Sequence, residues 1–281
     1  MRECSFELDG VTLKGKRWGE EGKLPVIALH GWLDNCASFD FLAPLLNDVD
    51  LVTIDLAGQG QSDHRSHSGA YNIWLDIMEI IMLADQLKWE KFALLGHSRG
   101  GMIATLTAGT FPDRVSHLAL IESFAPQFVE AKEAPIQMAA AINALIGIRD
   151  KNRSEFNSFD DAVKAREQGF LKLVHQDALV LAKRGVIERE GKYMWNNDIK
   201  LNAPSEIKFT LEQARAFTDR ITIPIELIIA KDGLMEDFPQ AKSFIDETQN
   251  IKIHYLSGDH HLHMSHQCQQ VADIYNDYFS R

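Results

Sequence analysis

The stretch GHSRG at residues 96–100 constrains the fold of this chain more than any other sequence feature. It follows an apolar run at residues 92–95, which predicts a buried strand. It precedes a small, apolar segment at residues 101–108, which predicts a helix packed tightly on a sheet. A chain that turns this sharply holds its turn residue in a strained conformation, so the neighbouring positions need very small side chains. The pattern predicts a strand–turn–helix unit with Ser98 exposed at the turn.

The position of Ser98 has a chemical consequence. Backbone N–H groups at the start of a helix favour negative charge, because they lack partners within the helix and lie at the positive end of its dipole. Ser98 is therefore a candidate nucleophile, and the N–H of Arg99 is a candidate donor to a developing oxyanion. A glycine-rich turn with an inert serine is the weaker hypothesis, because both the strand and the helix are predicted around it.

Length and composition limit the class of protein. With 281 residues, 45% of them hydrophobic, the chain is long enough for one α/β domain with a substantial insertion. A net charge of −11 argues against a surface for nucleic acid or an anionic membrane. The cysteines Cys4, Cys36 and Cys268 are scattered, and no apolar run has the length of a signal peptide or a membrane span. We expect a soluble, cytoplasmic protein with reduced thiols.

Strands and helices alternate along most of the chain. A hairpin is expected at residues 5–8 and 11–18, with Asp9 and Gly10 in its turn. Apolar runs predict further strands at residues 26–29, 49–54, 92–95, 118–121, 225–230 and 251–256. Further helices are predicted at residues 37–46, 73–87, 240–247 and 268–279. This alternation predicts an α/β fold, with a mostly parallel sheet and helices on both faces.

The alternation stops in the middle of the chain. Between residues 126 and 220 charged and apolar residues mix in helical patterns, which predict helices at residues 136–146, 159–174, 179–184 and 211–217. We expect residues 1–125 and 221–281 to form the two parts of one core. Residues 126–220 are then expected to form an inserted helical cap.

A serine hydroxyl needs further groups before it becomes a good nucleophile. A base must take its proton, and a carboxylate must orient the base. In an open parallel sheet such groups gather at the carboxyl ends of the strands. Asp232 follows the predicted strand that ends at Ala230, and a group of histidines follows the strand that ends near Leu256.

Five segments carry a resemblance to a known family, and they are HGW at residues 30–32, DLAGQGQSD at 55–63, GHSRG at 96–100, KDG at 231–233 and GDHHLH at 258–263. Taken together, these motifs resemble the α/β-hydrolase superfamily, and in particular its cap-bearing serine hydrolases, over residues 6–279. The order serine, acid, histidine along the chain also matches that family. The resemblance implies an α/β-hydrolase fold.

The resemblance also implies roles for individual residues. Ser98 would be the nucleophile, His260 the general base and Asp232 the acid that orients it. The backbone N–H groups of Trp32 and Arg99 would form the oxyanion hole, and the helical insertion would shape an acyl or alcohol pocket. No cofactor is implied.

Two positions depart from the family pattern and leave alternatives open. Asp259 precedes His260 where the family commonly has glycine, and His261 follows it, so His261 is the second candidate base. The spacing to the following helix favours His260. Glu122 closes a predicted strand at a place where some family members keep their acid. Asp232 is preferred because it matches the commoner location and precedes a glycine.

Two further groups have a simpler alternative explanation. His260, His261, His263 and His266 are close enough in sequence to suggest a metal site, but no carboxylate or cysteine pattern completes a ligand set, so no metal is expected. The Arg99 side chain is a candidate for binding an anionic substrate. Solvation, or pairing with a carboxylate near the cap, explains it equally well.

The function expected from these features is hydrolysis of a small-molecule carboxylic ester, or a similar acyl bond, through an acyl-enzyme. The same scaffold also hosts carbon–carbon bond hydrolases, cofactor-free lyases and oxygenases, and receptors without catalytic activity. The sequence carries no signal for the physiological substrate or the oligomeric state, because fold does not dictate function.

Overall fold

The structure is a computed structural model that describes residues 1–66, 70–148, 151–264 and 267–281. His266, considered above as a metal ligand, lies outside these ranges. Among the described helices, none has both the length and the apolar composition needed to cross a membrane.

A central sheet dominates the fold. This sheet has eight strands in the order β1-β2-β4-β3-β5-β6-β9-β10. β7 and β8 form a separate two-stranded hairpin. β2 pairs antiparallel with β1 and β4, and the other neighbours in the large sheet are parallel. The strands are β1 (Arg2–Leu8), β2 (Val11–Gly19), β3 (Leu24–Leu29), β4 (Val49–Ile54), β5 (Phe92–His97), β6 (Val115–Ile121), β7 (Val186–Arg189), β8 (Lys192–Trp195), β9 (Ile225–Asp232) and β10 (Ile251–Asp259).

Helices cover the sheet and form much of the segment between β6 and β9. The predicted α/β architecture with a mostly parallel sheet is confirmed. The helices are α1 (Ile73–Gln86), α2 (Arg99–Thr110), α3 (Ala134–Ile148), α4 (Phe159–Glu167), α5 (His175–Gly185), α6 (Leu211–Thr218), α7 (Pro239–Asp246) and α8 (Cys268–Phe279).

The apolar strands are buried on both faces, which explains why they are almost continuously apolar in sequence. Successive side chains of a strand point to opposite faces. Leu94 packs in the cluster that contains Ile80 of α1 and Ile103 of α2. Leu95 belongs to the cluster on the other face, together with Tyr275 of α8. The two halves of the core therefore hold β5, and the turn that follows it, between them.

The structure differs from the sequence predictions at three places. The helix expected at residues 37–46 is replaced by two short 3₁₀ turns, Cys36–Phe39 and Ala43–Leu45, because Pro44 lacks the N–H that a continuous helix needs. The helix expected at 159–174 ends at Glu167, just before Gly169. The hairpin β7–β8 was not predicted. Its turn is Glu190-Gly191, and both residues have positive φ.

The segment between β6 and β9 is attached to the loops at the carboxyl ends of β3 and β4. Arg184 of α5 donates from Nε to Asp55 at 2.8 Å, and Asp55 is fully buried. Asp55 also accepts the N–H groups of Cys36 and Gln61, so its carboxylate joins the insertion to both loops. The Nε1 of Trp32 donates to the carbonyl of Leu201 at 2.9 Å. The division of the chain at residues 126 and 220 stays a prediction.

Two helix glycines provide a matched test of this packing. A Cβ at Gly100 would lie 2.0 Å from the carbonyl oxygen of Leu29, whereas a Cβ at Gly147 would meet no atom within 4 Å. Gly100→Ala should therefore lower the free energy of unfolding by about 2 kcal/mol or more, since overpacking typically costs about 1–3 kcal/mol. Gly147→Ala should leave it unchanged or raise it by up to about 1 kcal/mol. Urea denaturation measures both; similar values for the two variants would contradict the close approach of α2 to β3.

Candidate active site

Ser98 lies at the turn between β5 and α2, as the sequence predicts. Its backbone has φ 51° and ψ −120°, a strained region for a residue with a side chain. The Ser98 N–H donates to the carbonyl of Ile121 at 3.0 Å, which ties the turn to the end of β6. Helix α2 begins at the next residue. The strain is held by packing on both sides of the turn, and the side chain is only half-buried.

Two backbone N–H groups flank this turn. Within the described ranges, neither the N–H of Trp32 nor that of Arg99 donates to another residue. The close approach of Gly100 to the carbonyls of Leu29 and His30 packs the first turn of α2 against the loop that carries Trp32. Both residues predicted for the oxyanion hole therefore offer free donors.

His260 contacts Glu122. The Nδ1 of His260 lies 3.1 Å from Glu122 Oε2, and both side chains are buried. An ionised carboxylate only accepts hydrogen bonds, so Nδ1 carries the proton and Nε2 carries a lone pair. Nε2 has no partner among the described residues. This is the tautomer that a general base needs.

The chain around Glu122 explains why its carboxylate points to His260. Glu122 follows the last residue of β6 with φ 53°, and its N–H donates to Ile228 of β9 at 2.8 Å. Its Oε1 accepts the N–H of Ala230 at 2.7 Å, and Oε2 accepts that of Leu234 at 2.9 Å. A Cβ at Gly233 would lie 2.2 Å from Oε2. The absence of a side chain at Gly233 therefore leaves space for the carboxylate of Glu122.

Asp232 lies at the end of β9 with an exposed side chain. In the described parts of the chain this side chain makes no hydrogen bond or ion pair, and the expected contact with His260 is not formed. The backbone of Asp232 pairs with Asp259 instead. The structure therefore brings Glu122, the alternative that the sequence left open, to the position expected for Asp232. The sequence signal was a glutamate directly after an apolar strand.

His261 points away from Glu122. Its Nε2 lies 3.2 Å from Asp34 Oδ2, and both residues are buried. Burial alone would raise the pKa of Asp34, but its partners His261 and Arg166 hold it well below its usual range. Of the two adjacent histidines, His260 contacts the carboxylate at the end of β6.

Two more buried histidines surround His260. His97, directly before Ser98, lies with its Nε2 2.9 Å from the carbonyl oxygen of His260, and the two rings are 4.7 Å apart. Burial, and then the neighbouring histidines, lower the pKa of His97 well below its usual range. The same causes lower the pKa of His263 to about 3. Both rings are therefore neutral at pH 7, and they pack His260 beside the Ser98 turn.

The side chain of Arg99 is paired with a carboxylate. Its Nη2 donates to Asp76 Oδ2 at 2.6 Å, and Asp76 on α1 is buried. Of the explanations considered for Arg99, pairing with a carboxylate is the one that the structure shows. That carboxylate is on the core rather than on the insertion.

Two cavities meet at Trp32. The larger has a volume of about 410 Å³ and an apolar, aromatic wall supplied mostly by the segment between β6 and β9. The smaller, of about 330 Å³, lies on the side of Arg99. Both therefore border the loop that carries a free N–H at Trp32. Apolar residues around the larger cavity include Leu33, Phe156, Phe170, Leu171, Trp195 and Ile199.

Comparison with known proteins agrees with this fold. Residues 25–172 match the family described as alpha/beta hydrolase fold, and the chain belongs to that family. The resemblance predicted from the motifs is confirmed. The fold, together with the names of the relatives, supports a hydrolase.

The relatives that match most of the chain carry serine hydrolase names. Human serine hydrolase-like protein 2 is 30% identical over 99% of this chain and 94% of its own length. A probable serine hydrolase of Drosophila melanogaster is 30% identical over 93% of this chain and 83% of its own length. The crystal structure of a hypothetical protein of Pseudomonas aeruginosa PAO1 has a TM-score of 0.96 and 35% identity, and covers all of both chains.

The segment between β6 and β9 contributes a group whose protonation is linked to folding. Asp177 of α5 is 4% exposed. Burial, and then the charge of Asp259 next to His260, raises the pKa of Asp177 from 3.8 to about 7. Between pH 3.8 and about 7 the folded protein therefore keeps a proton that the unfolded chain has lost.

The stability of the protein should fall as the pH rises from 3.8 towards 7 because of this proton. The contribution of Asp177 is at most about 1.4 kcal/mol per pH unit. Asp177→Asn keeps the shape without the titration, so its free energy of unfolding should exceed that of the wild type at pH 8 and converge with it at pH 4. Chemical denaturation across this range measures the difference. Parallel curves for the two proteins would contradict a protonated Asp177.

Proposed function

We propose that this protein is a serine hydrolase that cleaves a carboxylic ester, or a similar acyl bond, through an acyl-enzyme on Ser98. The observation that carries the proposal is the Glu122–His260 pair. It holds a buried imidazole with its Nε2 lone pair unpartnered, beside the strained turn of Ser98. The family membership and the names of the relatives support a hydrolase.

The first half of the proposed reaction forms the acyl-enzyme. The Oγ of Ser98 attacks the carbonyl carbon of the substrate while Nε2 of His260 takes its proton. Glu122 stabilises the imidazolium through Nδ1–H. The N–H groups of Trp32 and Arg99 hold the oxyanion of the tetrahedral intermediate, a role for which each is a free donor.

Collapse of the tetrahedral intermediate completes the acyl-enzyme, and its hydrolysis then releases the acid. The imidazolium gives its proton to the leaving alcohol, which departs with the electrons of the cleaved bond. Water then attacks the acyl carbon as His260 takes its proton. When the second tetrahedral intermediate collapses, His260 returns that proton to Oγ of Ser98, which frees the serine and the carboxylic acid.

The larger cavity is a candidate binding site for the acyl part of the substrate. The acyl chain of a small molecule suits the cavity of about 410 Å³, because most of its exposed lining is apolar, although polar residues such as Asn152 and Arg153 also border it. The segment at residues 126–220 acts as the cap in this proposal, since it supplies most of that wall. A panel of p-nitrophenyl esters of increasing chain length tests this assignment.

Ser98→Ala should abolish labelling by a fluorophosphonate probe and essentially all ester hydrolysis. The fold should be kept, because the half-buried side chain contributes little packing. Mass spectrometry of the labelled protein and steady-state kinetics measure these effects, and thermal denaturation checks the fold. Turnover that survives in the variant would refute the proposal.

Glu122→Gln and Asp232→Asn form a matched pair, because each replaces a carboxylate by an amide of nearly the same shape. We expect Glu122→Gln to lower kcat on the order of 10²–10⁴-fold, scaled from the loss that follows when a triad carboxylate becomes an amide. Asp232→Asn, which alters an exposed side chain, should change kcat by less than about threefold. If Asp232→Asn lowers kcat strongly and Glu122→Gln does not, then Asp232 and not Glu122 is the acid.

A further inference from the structure

Three buried side chains from distant parts of the chain lie close together next to His260. Asp34 follows β3, His97 ends β5 and His261 follows β10, and each is at most 1% exposed. The Oδ2 of Asp34 lies 3.2 Å from Nε2 of His261 and 3.8 Å from Nδ1 of His97. One ligand atom from each residue lies within 4.8 Å of the other two. The fold thus adds a carboxylate to the histidines, from a loop far away in the sequence.

The hydrogen bonding of His97 places a lone pair in this cluster. Its Nε2 lies 2.9 Å from the carbonyl oxygen of His260, which only accepts, so Nε2 carries the proton. Nδ1 therefore carries the lone pair and faces the carboxylate oxygen of Asp34. Within the described residues this nitrogen has no hydrogen-bond partner, although it is fully buried. Two electron-rich atoms that face each other out of water favour a cation between them.

Hydrogen bonds to neighbouring residues orient His97 and Asp34, as they commonly orient the ligands in metal sites. Metal-binding histidines commonly donate their second N–H to a carbonyl or carboxylate, as His97 does. The other oxygen of Asp34 accepts from Nη2 of Arg166 at 2.7 Å, which leaves Oδ2 for the cluster. Gly31 borders the same space, because a Cβ there would lie 2.8 Å from Oδ2 and 3.1 Å from His97 Nδ1. A larger residue at position 31 would close the gap between the two ligand atoms.

We propose that Asp34, His97 and His261 bind a divalent late first-row metal ion, with Zn²⁺ as the best fit. Two imidazole nitrogens and one carboxylate oxygen are a common ligand set for Zn²⁺. Bond lengths of about 2.0–2.2 Å give tetrahedral ligand–ligand distances of roughly 3.3–3.6 Å. The observed 3.2 and 3.8 Å lie close to this range, and all three ligand atoms lie within 4.8 Å of one another.

Such an ion would act on the base of the proposed reaction. The rings of His97 and His260 lie 4.7 Å apart, so a bound dication adds positive charge close to the imidazolium that must form on His260. Zn²⁺ should therefore inhibit hydrolysis. This consequence rests on the proposed function, whereas binding of the ion does not.

Isothermal titration of the metal-free full chain with Zn²⁺ tests the site, with Asp34→Asn and His261→Gln as the ligand variants. The wild type should bind one ion in the cluster. Each ligand variant should weaken its binding by about 100-fold or more, which exceeds the usual loss for an outer-shell partner. Gly31→Ala keeps all three ligands and should also weaken binding by blocking the space between them.

His175→Gln is the matched control, because His175 and Glu167 form an exposed pair that is able to hold surface metal. It should leave the affinity of the cluster unchanged. Zn²⁺ binding that is lost in His175→Gln but kept in Asp34→Asn and His261→Gln would overturn the proposal, as would the absence of stoichiometric binding to the wild type.

Co²⁺ bound to the wild-type protein gives an answer that does not depend on the variants folding. An intense visible absorption, typical of a four-coordinate site, that Zn²⁺ abolishes would support the cluster. A weak octahedral spectrum would overturn it. These readouts use no substrate, so they separate failure of the metal site from failure of the proposed hydrolase activity.

Discussion

The contacts of one carboxylate, that of Glu122, hold the candidate active site together. Its two oxygens accept the N–H groups of Ala230 and Leu234, and Oε2 also contacts Nδ1 of His260. The side chain thereby joins the end of β6, the turn after β9 and the loop after β10. Burial of a carboxylate without hydrogen-bond partners would cost free energy. The two N–H groups and the imidazole together compensate the buried charge of Glu122. The left-handed backbone of Glu122 directs the side chain to this point.

Buried polar contacts help to fix the segment between β6 and β9 to the rest of the chain. Arg184 meets Asp55 and Arg166 meets Asp34, and in both pairs the carboxylate lies in a loop at the end of a central strand. Loss of one partner would leave an uncompensated buried charge, which typically costs about 3–5 kcal/mol. Asp55, the first residue of the segment DLAGQGQSD, therefore has a structural role, because it joins this segment to the residues between β6 and β9.

The fold and the Ser98 turn could be predicted from the sequence because both depend on local patterns. Apolar runs of strand length mark a sheet buried on both faces, and two flanking glycines mark the sharp turn. The acid could not be decided in this way. Asp232 and Glu122 both follow apolar strands, and the choice between them depends on the φ of Glu122 and on the space beside Gly233, which arise only when β6 and β9 pair. The cluster of Asp34 with His97 and His261 could not be predicted for the same reason, since its members come from two loops and the end of β5.

The most direct test of this account is the proton on Nδ1 of His260, observed by ¹H NMR at low temperature. A proton shared with a carboxylate resonates far downfield, and its assignment to His260 is checked by its loss in His260→Ala. The account predicts that this resonance keeps its position in Asp232→Asn and moves upfield or disappears in Glu122→Gln, because only Glu122 contacts Nδ1. A resonance that is unchanged in Glu122→Gln but lost in Asp232→Asn would contradict the account.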